Sequence, residues 1–187
     1  MRPRMQHRMQ RWALPGGEQE AAARAVTTLQ NLGPLVPPRV WAAVLRALWN
    51  GWVTARRWPE GPMAGQTCIF GCQGQEDSIE HYACCPIVAG FAWRRLGLRT
   101  VPGASATARL AEFLLLDVDP AQRPPVELTL SALRLAAVYK THNWWRHASR
   151  RTPLMAQQAL QQVVVDLVAG HGRATQILDA AVRPAAP

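Results

Sequence analysis

The sequence contains no apolar run approaching the roughly 18 residues a bilayer span needs, so no membrane helix is expected. Its start carries Arg2, Arg4, Arg8 and Arg11 with no apolar stretch behind them, which argues against a secretory signal and for an intracellular protein. Lysine is almost missing: Lys140 stands alone beside 20 arginines. Acidic residues number only 12, leaving a formal charge of +9. Cysteine is absent outside positions 68–85, where all 4 are gathered. Disulfide frameworks tie distant segments together, so this clustering points to metal instead. Also missing are the His-Glu-x-x-His zinc-protease motif and a Gly-rich phosphate loop. His81 is followed by Tyr82 and Ala83, which fails the His-x-Glu signature of zinc deaminases.

What is present suits a folded, helical chain. Hydrophobic residues make up 49% of 187, enough for one real core. Residues 1–17 read as a flexible basic tail ending in Pro15-Gly16-Gly17. A helical region follows over 18–100, with a metal-binding module at about 66–96, and a second helical region over 101–187 packs on it. Helices are predicted at 18–32, from Pro37-Pro38 to about Trp58, and at 87–96, 107–116, 125–149, 153–169 and 174–182. Pro59 to Gly65 is a loop into the cysteine cluster. Pro125 suits a first helical turn, and Thr152-Pro153 reads as a cap followed by a first helical residue. No strand-length alternation is convincing, so the fold class is all-α with a small knuckle-plus-helix insertion.

That insertion reads Cys68-Ile-Phe-Gly-Cys72, eight residues, then His81-Tyr-Ala-Cys84-Cys85-Pro86. The first pair allows a tight knuckle with both sulfurs on one ion, and Gly71 and Gly74 permit the bend. His81 and Cys85 are four apart, which places them on one helical face. Asp77 is a candidate N-cap for that helix, with Glu80 completing a capping-box pattern, and Pro86 ends it. Cys68, Cys72, His81 and Cys85 are therefore the candidate ligands of one tetrahedral zinc ion. Cys84, three residues beyond His81, is the alternative fourth ligand. Four protein ligands would make the zinc structural, since a catalytic ion keeps a position for water.

The stretch from Arg39 to Leu98, about a third of the chain, resembles the zinc-binding region that follows the polymerase domain in non-LTR retrotransposon reverse transcriptases. The resemblance lies in Trp52-Val-Thr-Ala-Arg56-Arg57-Trp58, Cys68 and Cys72, Glu76-Asp77, Glu80-His81, Cys85-Pro86 and then Trp93. The family more often has two residues inside the first cysteine pair and four between the histidine and the last cysteine; here both gaps are three. No Asp-Asp dipeptide with a preceding aromatic occurs, so the polymerase carboxylates are missing. The resemblance implies a C-terminal fragment or relic of such an element, without polymerase activity and not an enzyme, in a region that helps hold template nucleic acid.

The arginine surplus fits the same partner, RNA or DNA, because guanidinium groups grip phosphate in bidentate fashion. Arg56, Arg57, Arg94, Arg95, Arg146, Arg150 and Arg151 are the candidate contacts. Around Lys140, Trp144 and Trp145, aromatics alternate with cations; they either stack bases or fill the core. His142 and His147, five apart, share no helix face and predict no second metal. The competing reading is a zinc-stabilised structural or protein-interaction domain with no affinity for nucleic acid.

Overall fold

In a computed structural model, residues 2–60, 64–99, 101–119 and 121–182 are described. Among them are nine α-helices and no β-strand, so the fold is all-α. In chain order these are α1 (Arg2–Met9), α2 (Gly17–Leu32), α3 (Pro38–Leu48), α4 (Ile79–Cys84), α5 (Pro86–Leu96), α6 (Ala106–Phe113), α7 (Pro125–His147), α8 (Pro153–Val168) and α9 (Gly172–Val182). Two single 3-10 turns, Gln10–Trp12 and Ala55–Arg57, supplement them.

The core forms around α7. Every residue from Leu128 to Val138 is buried, so this helix has no solvent face along its middle. A helix apolar all round belongs at the centre of a bundle, and α7 packs against α3 on one side and α8 on another. Arg134 is the one charge in that stretch. It is matched by the Glu112 carboxylate at 2.8 Å, the Glu112 carbonyl at 3.0 Å and the Phe113 ring. A buried guanidinium is tolerated only with such partners. The local signals start α7 and α8 where predicted: Pro125 opens α7, and Thr152 Oγ1 accepts the Met155 N–H at 3.3 Å at the head of α8.

Two expectations are corrected. Within the predicted tail 1–17, the described residues 2–17 are not loose. Met5, Met9, Trp12 and Leu14 are buried, and α1 packs on α2 and α3. Their spacing of four, three and two residues makes an apolar stripe beneath the arginines. The helix predicted from Pro37-Pro38 to Trp58 stops at Leu48. Asn50 takes the left-handed conformation (φ 51°) and Gly51 N–H returns to the Arg46 carbonyl at 2.7 Å, closing the helix end. Trp52, four residues after Leu48, mimics a helical repeat, but it reaches the core from an irregular segment beyond the helix end. The predicted loop 59–65 falls partly on residues 61–63, which lie outside the described residues, as do 183–187 of the C-terminal region.

Candidate metal centre

The chain between α3 and α4 builds a small folded-back loop. Cys68 N–H donates to the Gln75 carbonyl at 2.8 Å and Asp77 N–H to the Gln66 carbonyl at 3.1 Å. An isolated antiparallel bridge joins Thr67 to Glu76. Inside it, Gly71 N–H closes on the Cys68 carbonyl at 3.0 Å, with Gly71 at φ +92°. Only glycine holds that angle cheaply. A side chain there would also strike Pro153, whose Cβ lies 2.9 Å from the place a Gly71 Cβ would take. The Phe70 carbonyl accepts Gln157 Nε2 at 2.7 Å, so the knuckle is pinned to the start of α8.

The loop and α4 bring the four candidate ligands together. The ligand atoms of Cys68, Cys72, His81 and Cys85 all lie within 4.8 Å of one another, with Cys72 Sγ 3.5 Å from Cys85 Sγ. A tetrahedral zinc with metal–sulfur bonds of about 2.3 Å spaces its sulfurs by roughly 3.8 Å, so closing on an ion takes about an ångström at most. His81 Nε2 is buried with no hydrogen-bond partner. An imidazole with one buried nitrogen unpartnered, on a ring that closes a cluster of three sulfurs, is a condition a cation would relieve. The donor set and geometry are compatible with one zinc ion. Cys84, half-buried, stands outside the cluster. Cys85 occupies the extended joint between α4 and α5, where the backbone leaves the helix ahead of Pro86 and carries its sulfur inward.

The sulfurs already share protons unequally. Hydrogen bonding from Cys85 pulls the Cys68 thiol down to about 4, with burial opposing and His81 assisting. The same contact, added to burial, pushes Cys85 well above the ordinary thiol range. Burial raises Cys72 as well. One sulfur whose proton is held weakly beside two that hold theirs tightly suits a cation, which binds thiolate and displaces the thiol protons.

Asp77 has a role that its sequence position concealed. The N-cap of α4 is Ser78, whose Oγ accepts the His81 N–H at 3.0 Å. Asp77 is fully buried. Its carboxylate accepts Ala55 N–H at 2.9 Å and the Tyr82 hydroxyl, and both its oxygens lie 3.1 Å from His142 Nε2. Burial, then the charge of Asp77, keeps the Tyr82 phenol pKa well above its usual value, so it remains a donor. Trp52 stacks on Tyr82 at 5.6 Å and meets His142 edge-on at 5.6 Å. Asp77 thus joins the metal loop, the Ala55–Arg57 turn and α7. The sequence signal that could have found it is His142, a polar residue within the apolar spine of a central helix.

The candidate arginines fall in three places. Arg56 and Arg57 share one short turn, fixed by Arg56 N–H donating to the Asp77 carbonyl at 3.2 Å. Arg56 is 3.7 Å from Glu76 and 3.9 Å from Glu80. Arg94 and Arg95 lie in the last turn of α5. Arg146, Arg150 and Arg151 lie at the end of α7 and just beyond it, and Arg151 is spent on the Arg146 and Ala148 carbonyls at 2.7 and 3.2 Å. Arg150 and Arg151 immediately precede the Thr152-Pro153 step that touches the knuckle. Trp145 is buried in the core, whereas Trp144 is 42% exposed. No helix among the described residues is long and apolar enough to cross a membrane. Compared with models of protein families, with curated proteins and with solved structures, the chain matches none.

Proposed function

We propose that this chain is a non-catalytic, zinc-organised module that binds RNA or DNA, of the kind that follows the polymerase domain in retroelement reverse transcriptases. One observation carries the reading. Asp77, at the exit of the metal loop, holds the Arg56–Arg57 turn through two backbone hydrogen bonds, from Ala55 N–H to its carboxylate and from Arg56 N–H to its carbonyl. Folding of the metal loop and presentation of these guanidinium groups are therefore one event.

Cys68, Cys72, His81 and Cys85 would hold the ion and fill its tetrahedron, which makes the site structural. When bound, the zinc supplies folding energy to a loop whose own apolar anchors are Ile69 and Phe70. Three thiolates against a dication leave about one net negative charge, so phosphate contact falls to the arginines around the site. The order of Trp, paired Arg, Cys, acidic, His and Cys-Pro elements supports the retroelement origin.

The test is an electrophoretic mobility shift with short labelled RNA and DNA at low salt, using zinc-loaded protein and the same protein after chelation. The loaded form shifts both probes, added salt releases them, and chelation weakens the shift. A loaded protein that shifts neither probe at low salt contradicts the reading.

A further inference from the structure

The N-terminal helix brings a second group of cations to the Arg56–Arg57 turn. Met5, Met9 and Trp12 face the core, so Arg4, His7, Arg8 and Arg11 are left exposed. Arg11 Nη2 reaches Glu80 at 3.4 Å, the same carboxylate that Arg56 approaches at 3.9 Å, so the two basic segments are contiguous. Arg57 lies within the same group. Its Nη1 is buried without a hydrogen-bond partner. Burial, and then the charges of Arg8 and Arg11, lower its pKa. Among the described residues, the acidic partners of these guanidinium groups are Glu76 and Glu80. A groove of about 550 Å³, lined by Pro3, Arg4, His7, Arg8 and the half-buried Trp49, opens beside them. That volume falls within the range of sites that hold small organic ligands.

Like charges gathered this closely repel, and an anion relieves them. Guanidinium groups grip phosphate oxygens in bidentate fashion, as they do carboxylates. An aromatic ring in the wall of a cationic groove adds a stacking partner, which only an unpaired base can use. Among the described residues, the exposed side of α1 presents no large apolar side chain for a bilayer, because Met5 and Met9 are buried in the core.

We propose that the groove between α1 and Trp49, continued by Arg8, Arg11 and Arg57, is a binding site for single-stranded nucleic acid, with phosphates on the guanidinium groups and a base against Trp49. This rests on the nucleic-acid reading above and extends it to residues outside the zinc-adjacent turn. Arg56 and Arg57 hold one stretch of backbone, and α1 carries the strand onward.

The test uses the full zinc-loaded chain and fluorescence anisotropy with labelled oligo(dT), oligo(U) and a duplex of equal length, across a salt series. The double variant Arg8→Gln/Arg11→Gln alters exposed side chains and leaves the buried methionines in place. Arg173→Gln, an exposed side chain of α9, controls for loss of charge away from the groove. The α1 variant weakens single-strand binding roughly tenfold or more, and its log–log salt slope falls by about 1.4, or about 0.7 for each of two lost phosphate contacts. Trp49→Leu, checked for folding by circular dichroism, weakens the single strands more than the duplex. Variants that bind as the parent does overturn this site while leaving the nucleic-acid reading intact. A parent chain that binds no oligonucleotide overturns both. Stronger binding to vesicles rich in anionic lipid than to either oligonucleotide assigns the patch to a membrane and overturns the proposal.

Discussion

Replacing Asp77 with alanine tests the architecture at its most connected residue. The carboxylate is fully buried and serves a backbone N–H at 2.9 Å, the Tyr82 hydroxyl, and His142 Nε2 at 3.1 Å. Removing it strands three polar groups in the core at once. Breaking a buried pair from one side costs about 3–5 kcal/mol, because the remaining partner is left unpaired. Domains of this size have roughly 5–15 kcal/mol in total, so the loss is a large share. At roughly 2–4 °C per kcal/mol for such a chain, the zinc-loaded Asp77→Ala protein melts roughly 6–20 °C below the parent by circular dichroism. Ser78→Ala is the comparison. It removes a helix cap and costs about 1 kcal/mol. Were Asp77 merely the cap of α4, the two losses would exchange: a small one for Asp77→Ala and almost none for Ser78→Ala. That outcome refutes the reasoning.

Two other perturbations follow from the knuckle. Gly71→Ala meets both a left-handed backbone and the Pro153 ring, whereas Gly74→Ala, at φ +66°, meets open space; the first costs about 2 kcal/mol and the second about 1 in urea unfolding, and equal losses would remove the role of the Pro153 contact. Cys72 and Cys85 are raised above the ordinary thiol value, while hydrogen bonding from Cys85 lowers Cys68 below it. Loading zinc therefore releases about two protons. Affinity rises with pH below the thiol range and falls by about two log units for each unit of acidification, which calorimetry in buffers of different ionisation heat will measure. Release of no protons contradicts the shared-proton picture.

Much of this was legible in the sequence, for local reasons. Pro125 and Thr152-Pro153 act on their own helix ends, so a short window suffices to read them. The clustering of the four candidate ligands was legible too, because all four lie within 18 consecutive positions. The partners of Asp77 were not. Its hydrogen bonds cross 22 residues to Ala55 and 65 to His142, and no local pattern tells a capping aspartate from a buried one. The first segment was misread because arginines dominate its composition while Met5, Met9 and Trp12 supply its fold. Trp52 misled in the opposite direction: its spacing continues the α3 stripe, yet Asn50 and Gly51 have already ended the helix.

The most direct measurement is native mass spectrometry of the purified full chain alongside Cys72→Ser, Cys84→Ser and Cys85→Ser. One zinc ion per chain in the parent and in Cys84→Ser, with loss from Cys72→Ser and Cys85→Ser, is the predicted result. Equal loss from Cys84→Ser and Cys85→Ser, or a folded parent that takes up no zinc, contradicts it.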